Sequence, residues 1–190
     1  MYRVNAGGPA VSGSPSWSAD TDSSPSPFVN ASAAAAFTYS TTANIDVSHA
    51  SIPAGTPASL FQNERADWVD ASSTNMQWSF PVTAGTYDVR LYFAEIFFFN
   101  PNSRVFDVSI EGNVVLNDYD IVADVGAFKG VVRTFRVTAD STLNIDFKPV
   151  IENPKVNAIE ILSVTQADAL GASPQSISLG TVSVLSLIHI

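Results

Sequence analysis

The sequence predicts an all-β fold of two packed antiparallel sheets, and three features carry that prediction. Apolar and polar residues alternate at period two through most of residues 78–163. Turn signals built from Gly, Asn, Asp, Ser and Thr recur about every ten residues. No long stretch repeats apolar residues at helical spacing.

Taken in order, Tyr2–Asn5 reads as a short strand that turns at Gly7-Gly8-Pro9. A stretch rich in Ser, Ala and Pro follows to residue 59. There Pro15, Pro25, Pro27, Pro53 and Pro57 interrupt every helix-length window except Ala31–Thr42, which fits a short helix or a strand. Trp78, Phe80 and Val82 alternate before a turn at Thr83-Ala84-Gly85-Thr86. Tyr87, Val89, Leu91 and Phe93 then share one strand face, with Asp88, Arg90 and Tyr92 on the other. Phe97-Phe98-Phe99 cannot all point inward, and the Asn100-Pro101-Asn102-Ser103 loop follows them, so at least one ring is expected near solvent. Such rings serve a recognition surface or pack under a loop as a satellite core. Phe106, Val108 and Ile110 form one strand face, and Glu111-Gly112-Asn113 turns the chain into Val114–Leu116 as a hairpin partner. Val131, Arg133, Phe135 and Val137 alternate before the turn at Ala139–Thr142; Leu143, Ile145 and Phe147 resume the inward row, and Val156–Ser163 is the last strand. This gives a domain at 1–165, a linker at 166–175 containing Gly171 and Pro174, and the truncated first strand of a following β domain at 176–190, similar to the start of immunoglobulin-like repeats.

A chain of 190 residues without cysteine needs no cross-link to bury a core, and it offers neither a thiol nucleophile nor a thiolate metal site. Nucleic acid is excluded as a partner by a formal net charge of -9 and nine scattered Lys and Arg residues. Only 14% of residues are charged, a balance common in exported β-rich domains, and no run of apolar residues reaches membrane-spanning length. An extracellular or cell-surface location is therefore expected, with neighbouring domains of the same chain as partners.

The residues for other chemistries are sparse. His49 lies near Asp46 and Ser48 in a Ser- and Ala-rich loop and reads as a solvated residue rather than part of a triad, and His189 lies in the terminal tail. A glycosidase needs two carboxylates about 5–10 Å apart, and Glu95, Asp107, Glu152 and Glu160 offer chance pairs, although Glu95 and Asp107 also suit ion pairs with Arg90 or Arg104. Asp118, Asp120 and Asp124, or Asp20 and Asp22, lack the ligand spacing of a calcium loop, so no metal or cofactor is expected. Asn5-Ala6-Gly7-Gly8 is a tight turn rather than a phosphate loop, and Asn30-Ala31-Ser32 matches a glycosylation acceptor.

Four segments, in order, resemble the malectin family of carbohydrate-binding domains: Val4-Asn5-Ala6-Gly7-Gly8-Pro9; Leu60-Phe61-Gln62-Asn63-Glu64-Arg65; Tyr87–Ile96 running into Arg104-Val105-Phe106-Asp107-Val108; and Glu152-Asn153-Pro154-Lys155-Val156-Asn157-Ala158-Ile159. The resemblance implies a jelly-roll-like antiparallel β-sandwich that is not an enzyme. It also implies an oligosaccharide or polysaccharide held in loops at one end, between aromatic rings and an acid. By that resemblance the ring pair falls on Phe97 and Phe98, the acid on Glu152, and further rings on Trp17 and Tyr39. Phe-Phe stands where some members carry Tyr-Phe, which removes a phenolic hydroxyl, and Glu152 is one methylene longer than their Asp. The alternative is a structural or adhesive module that binds protein or spaces its neighbours.

Overall fold

The alternation sorts side chains as predicted: Met76, Trp78 and Phe80 are buried in one strand while Gln77, Ser79 and Pro81 face solvent. The computed structural model describes residues 1–30, 36–67 and 75–164. Its strands are β1 (Tyr2–Asn5), β2 (Ser18–Ala19), β3 (Ala36–Ser40), β4 (Asn63–Asp67), β5 (Met76–Pro81), β6 (Gly85–Phe93), β7 (Val105–Ile110), β8 (Asn113–Tyr119), β9 (Val131–Ala139), β10 (Thr142–Ile151), β11 (Lys155–Val156) and β12 (Ala158–Ser163). A 3-10 turn covers Ala58–Gln62, and a short helix α1 covers Ile121–Val125.

A front sheet has the order β2-β1-β12-β6-β9, a back sheet β5-β10-β7-β8, and a small side sheet β11-β4-β3. The β1–β2 pairing is parallel, whereas β1–β12, β12–β6, β6–β9, β5–β10, β10–β7 and β7–β8 are antiparallel. Front and back sheets enclose the main core, which includes Val89, Leu91 and Phe93 from β6, Phe106, Val108 and Ile110 from β7, and Ile145 and Phe147 from β10. Each such side chain contributes about 1.5–3 kcal/mol on leaving water. A second cluster covers the outer face of the front sheet, where Tyr92, Val132 and Ala158 meet Trp17, Ile45, Leu60 and Phe61 from the loops. The far end of β6 is thus buried on both faces.

Three details differ from or complete the sequence reading. The predicted strand Val156–Ser163 is divided at Asn157, whose side chain donates to the carbonyls of Phe61 and Asn63 and accepts from the Ala94 N–H, while its own N–H donates to the Tyr92 carbonyl. An amide with that many backbone partners splices two sheets and cannot continue one ladder. Within Ala31–Thr42, the described part forms strand β3; residues 31–35 lie outside the described residues. Helix α1 was not foreseen: the Asp120 carboxylate caps it by accepting from the Ala123 N–H at 3.0 Å. The linker 166–175 and the strand 176–190 lie outside the described residues.

Candidate functional site

At the end of β6 the chain leaves the sheet through Ala94, Glu95 and Ile96, all buried, and enters the Phe97–Phe99 segment. Glu95 turns it. One carboxylate oxygen accepts from the N–H groups of Phe97 at 3.0 Å and Phe98 at 3.1 Å. The other lies 2.8 Å from Arg104 Nε in an ion pair whose N–H is not aligned for a hydrogen bond. Backbone held this way presents its rings outward: Phe97 is 53% and Phe99 68% exposed.

Arg104 continues the network. Its Nη1 donates to the Asn153 carbonyl at 2.8 Å, Nη2 lies 3.7 Å from Glu64 Oε1, and its guanidinium carbon sits 5.1 Å from the centre of the Phe98 ring. Glu64 also meets Lys155 Nζ at 2.7 Å, and Lys155 donates to the Ala94 carbonyl. Glu64, Glu95, Arg104 and Lys155 are all buried. Charges removed from water are tolerable only when paired, so these four fix one arrangement of the loops above them.

The rings and the acid meet this frame at different points. Tyr39 stands on β3 opposite Glu64 of β4, and its ring meets Phe97 edge-on with centres 5.5 Å apart. Phe97 in turn meets Phe98 edge-on at 4.9 Å. Glu152 is exposed and holds a left-handed backbone, φ 59°. With the Asn153 amide turned to satisfy both neighbours, its nitrogen donates to Glu152 Oε2 at 3.3 Å and its oxygen accepts from Arg104 at 3.1 Å. Tyr39, Phe97 and Phe98 thus form a chain of ring contacts that reaches Arg104, and Glu152 is linked to Arg104 through the Asn153 amide.

Trp17 does not join them. It is 6% exposed and packs edge-on against Tyr92 at 5.3 Å, because the Val11–Trp17 bridge folds its loop onto the outer face of the front sheet. That packing sets Trp17 apart from the exposed rings. The roles of Asn153 and of the Glu64–Lys155 pair are not evident from the sequence. A signal lies in the sparse charge of the chain: Glu64, Arg65, Arg104 and Lys155 all fall within the four malectin-like segments. Arg65 makes a buried two-pronged pair with Asp20, at 2.7 and 2.9 Å, and Asp20 also accepts from the N–H groups of Gly7 and Ser26.

The remaining polar candidates have local partners. Glu160 pairs with Arg3 and Arg90, and Asp107 accepts from the Asp118 N–H. His49 Nδ1 lies 2.8 Å from Ser51 Oγ, while Asp46 binds the Ser48 N–H instead of the imidazole. Tyr119 donates to Asp124 at 2.8 Å; its burial and that carboxylate push its phenol well above the ordinary range. Among the described residues no helix is long and apolar enough to cross a membrane.

Comparison with known proteins agrees with this architecture. The malectin domain model matches residues 1–159. Malectin of Mus musculus is 34% identical over 109 residues, covering 47% of this chain and 36% of the relative. A receptor-like protein kinase of Arabidopsis thaliana is 34% identical over 95 residues, covering 46% of this chain and 11% of the kinase. The chain thus spans less than half the length of these curated relatives. Among solved structures, the ANX2 ectodomain from Arabidopsis thaliana superposes with a TM-score of 0.75 at 22% identity, covering 88% of this chain and 50% of that one. A Bacteroides uniformis beta-glucuronidase gives 0.64 at 20% identity, covering 86% of this chain and 18% of the enzyme. The sandwich is shared with both, and on the match over residues 1–159 the chain belongs to the malectin domain family, a family of carbohydrate-binding modules.

Proposed function

We propose that the chain is a non-catalytic module that binds a saccharide across Tyr39, Phe97 and Phe98, with Glu152 accepting hydrogen bonds from sugar hydroxyls. The observation that carries this reading is a row of touching rings, led by the exposed Phe97, standing on buried ion pairs. A pyranose has an apolar C–H face and polar hydroxyls, and a site must cover the one and satisfy the other. If each ring contributes about 1 kcal/mol and a charged hydrogen bond about 2 kcal/mol, the ordering cost leaves a dissociation constant on the order of micromolar to millimolar. Such an affinity suits a module of an exported, multidomain protein acting through avidity. The plant and bacterial neighbours, where the likeness covers only part of a longer chain, favour that setting.

Calorimetric titration with neutral glucose oligosaccharides tests it. Phe97→Ala removes an exposed ring and should weaken binding at least tenfold, by analogy with other stacking contacts, while leaving the melting temperature nearly unchanged. Glu152→Gln should weaken binding less, since an amide oxygen still accepts. Unchanged affinity in Phe97→Ala would eliminate this site.

A further inference from the structure

The outer face of the front sheet carries a cleft that the ring site does not use. Arg3 of β1 pairs with Glu160 of β12, and Glu160 with Arg90 of β6, so the three side chains form a row across adjacent strands. Glu160 is 4% exposed. It accepts from Arg3 Nε at 2.6 Å, Arg90 Nη1 at 2.9 Å and the Tyr92 hydroxyl at 3.1 Å. Burial beside Glu160 pushes the Tyr92 phenol upward, so that hydroxyl stays a donor.

Two guanidinium groups thus share one carboxylate, leaving a local positive charge in a chain of formal net charge -9. The row lines a cleft of about 330 Å³, bounded by the Gly13-Ser14-Pro15 turn, the Pro53–Pro57 loop, and Trp17 with Tyr92; Glu160 is the sole acid among its lining residues. Arg3 and Arg90 side chains are 15% and 30% exposed. Arg3 Nη1 also lies 2.8 Å from Met1 Sδ, and Arg90 also interacts with the Tyr92 hydroxyl. A structural ladder needs one arginine to neutralise Glu160; the second brings an uncompensated charge into a concave space of the size that takes small ligands.

We propose that this cleft is a second ligand site, taking the carboxylate of an acidic saccharide such as a uronate. The guanidinium groups of Arg90 and Arg3 grip the carboxylate, and the Trp17 edge with the proline loop covers an apolar face of the sugar. The carboxylate part rests on this geometry alone, and the saccharide part rests on the carbohydrate-binding reading above.

Titrating D-glucuronate, with D-glucose and acetate as controls, tests both parts. Saturable glucuronate binding is expected, weakened at least about tenfold in Arg90→Gln and unaffected in Phe97→Ala. Arg90→Lys keeps the charge without the planar fork, should show a smaller loss, and carries the test if the Gln variant does not fold. Absence of saturable binding, or equal affinity in wild type and both Arg90 variants, would overturn the site. Acetate binding as tightly as glucuronate, or glucose competing equally, would overturn its saccharide or its acidic assignment respectively. Loss of neutral-oligosaccharide binding bears only on the ring site.

Discussion

Arg104 shows how much one buried charge can organise. It lies under Phe98, beside Glu95 and Glu64, and against the carbonyl that follows Glu152. Arg104→Met leaves both carboxylates short of a partner and should cost about 3–5 kcal/mol, read from urea denaturation at neutral pH. Gly7 makes a second prediction. Its backbone is left-handed, φ 76°, and an added Cβ would sit 2.0 Å from the Glu64 carbonyl oxygen. Gly7→Ala should therefore cost at least about 2 kcal/mol, read as a lowered melting temperature. The turn itself was legible in Gly7-Gly8-Pro9; the carbonyl that forbids a side chain there belongs to a strand far along the chain, and local sequence carries no trace of it. The same division applies to the rings. Phe97 was readable as a rim residue because consecutive aromatics cannot all face a core, whereas the fate of Trp17 was decided by Tyr92 on a distant strand.

Strands were the legible elements, because period two writes burial directly into the residue order. Helix α1 escaped notice at five residues, too short to show a period. Its cap also accepts from the Asn102 N–H, tying the aromatic loop to the helix. Asp120→Ala should cost about 1–2 kcal/mol and raise hydrogen exchange in both segments, measured by mass spectrometry. Across β6 and β9, Asp88 faces Arg136, and their hydrogen bonds, at 2.8 and 3.0 Å, hold the Asp88 carboxyl below its usual 3.8. A lowered folded value stabilises the fold above the unfolded value and loses that contribution as pH falls through the folded one. Because the pair is partly exposed, about 0.5 kcal/mol should disappear between roughly pH 5 and pH 2, and Arg136→Gln should flatten that part of the profile.

For the molecule as a whole, charge has been spent sparingly. With 14% of residues charged, buried pairs cluster where loops must be held, while neutral polar groups cover much of the outside. Neutral-sugar binding at the rings should consequently change little between about 0.05 and 0.5 M salt, while uronate binding at the proposed arginine cleft should weaken measurably over that range, both readable by titration. Tyr39 rides on the side sheet and Phe97 on the loop leaving the front sheet. A glycan lying on both would act as a clasp between two spliced sheets, so occupancy should slow their parting under mechanical pull and make a tethered module hardest to tear open while it holds its cargo.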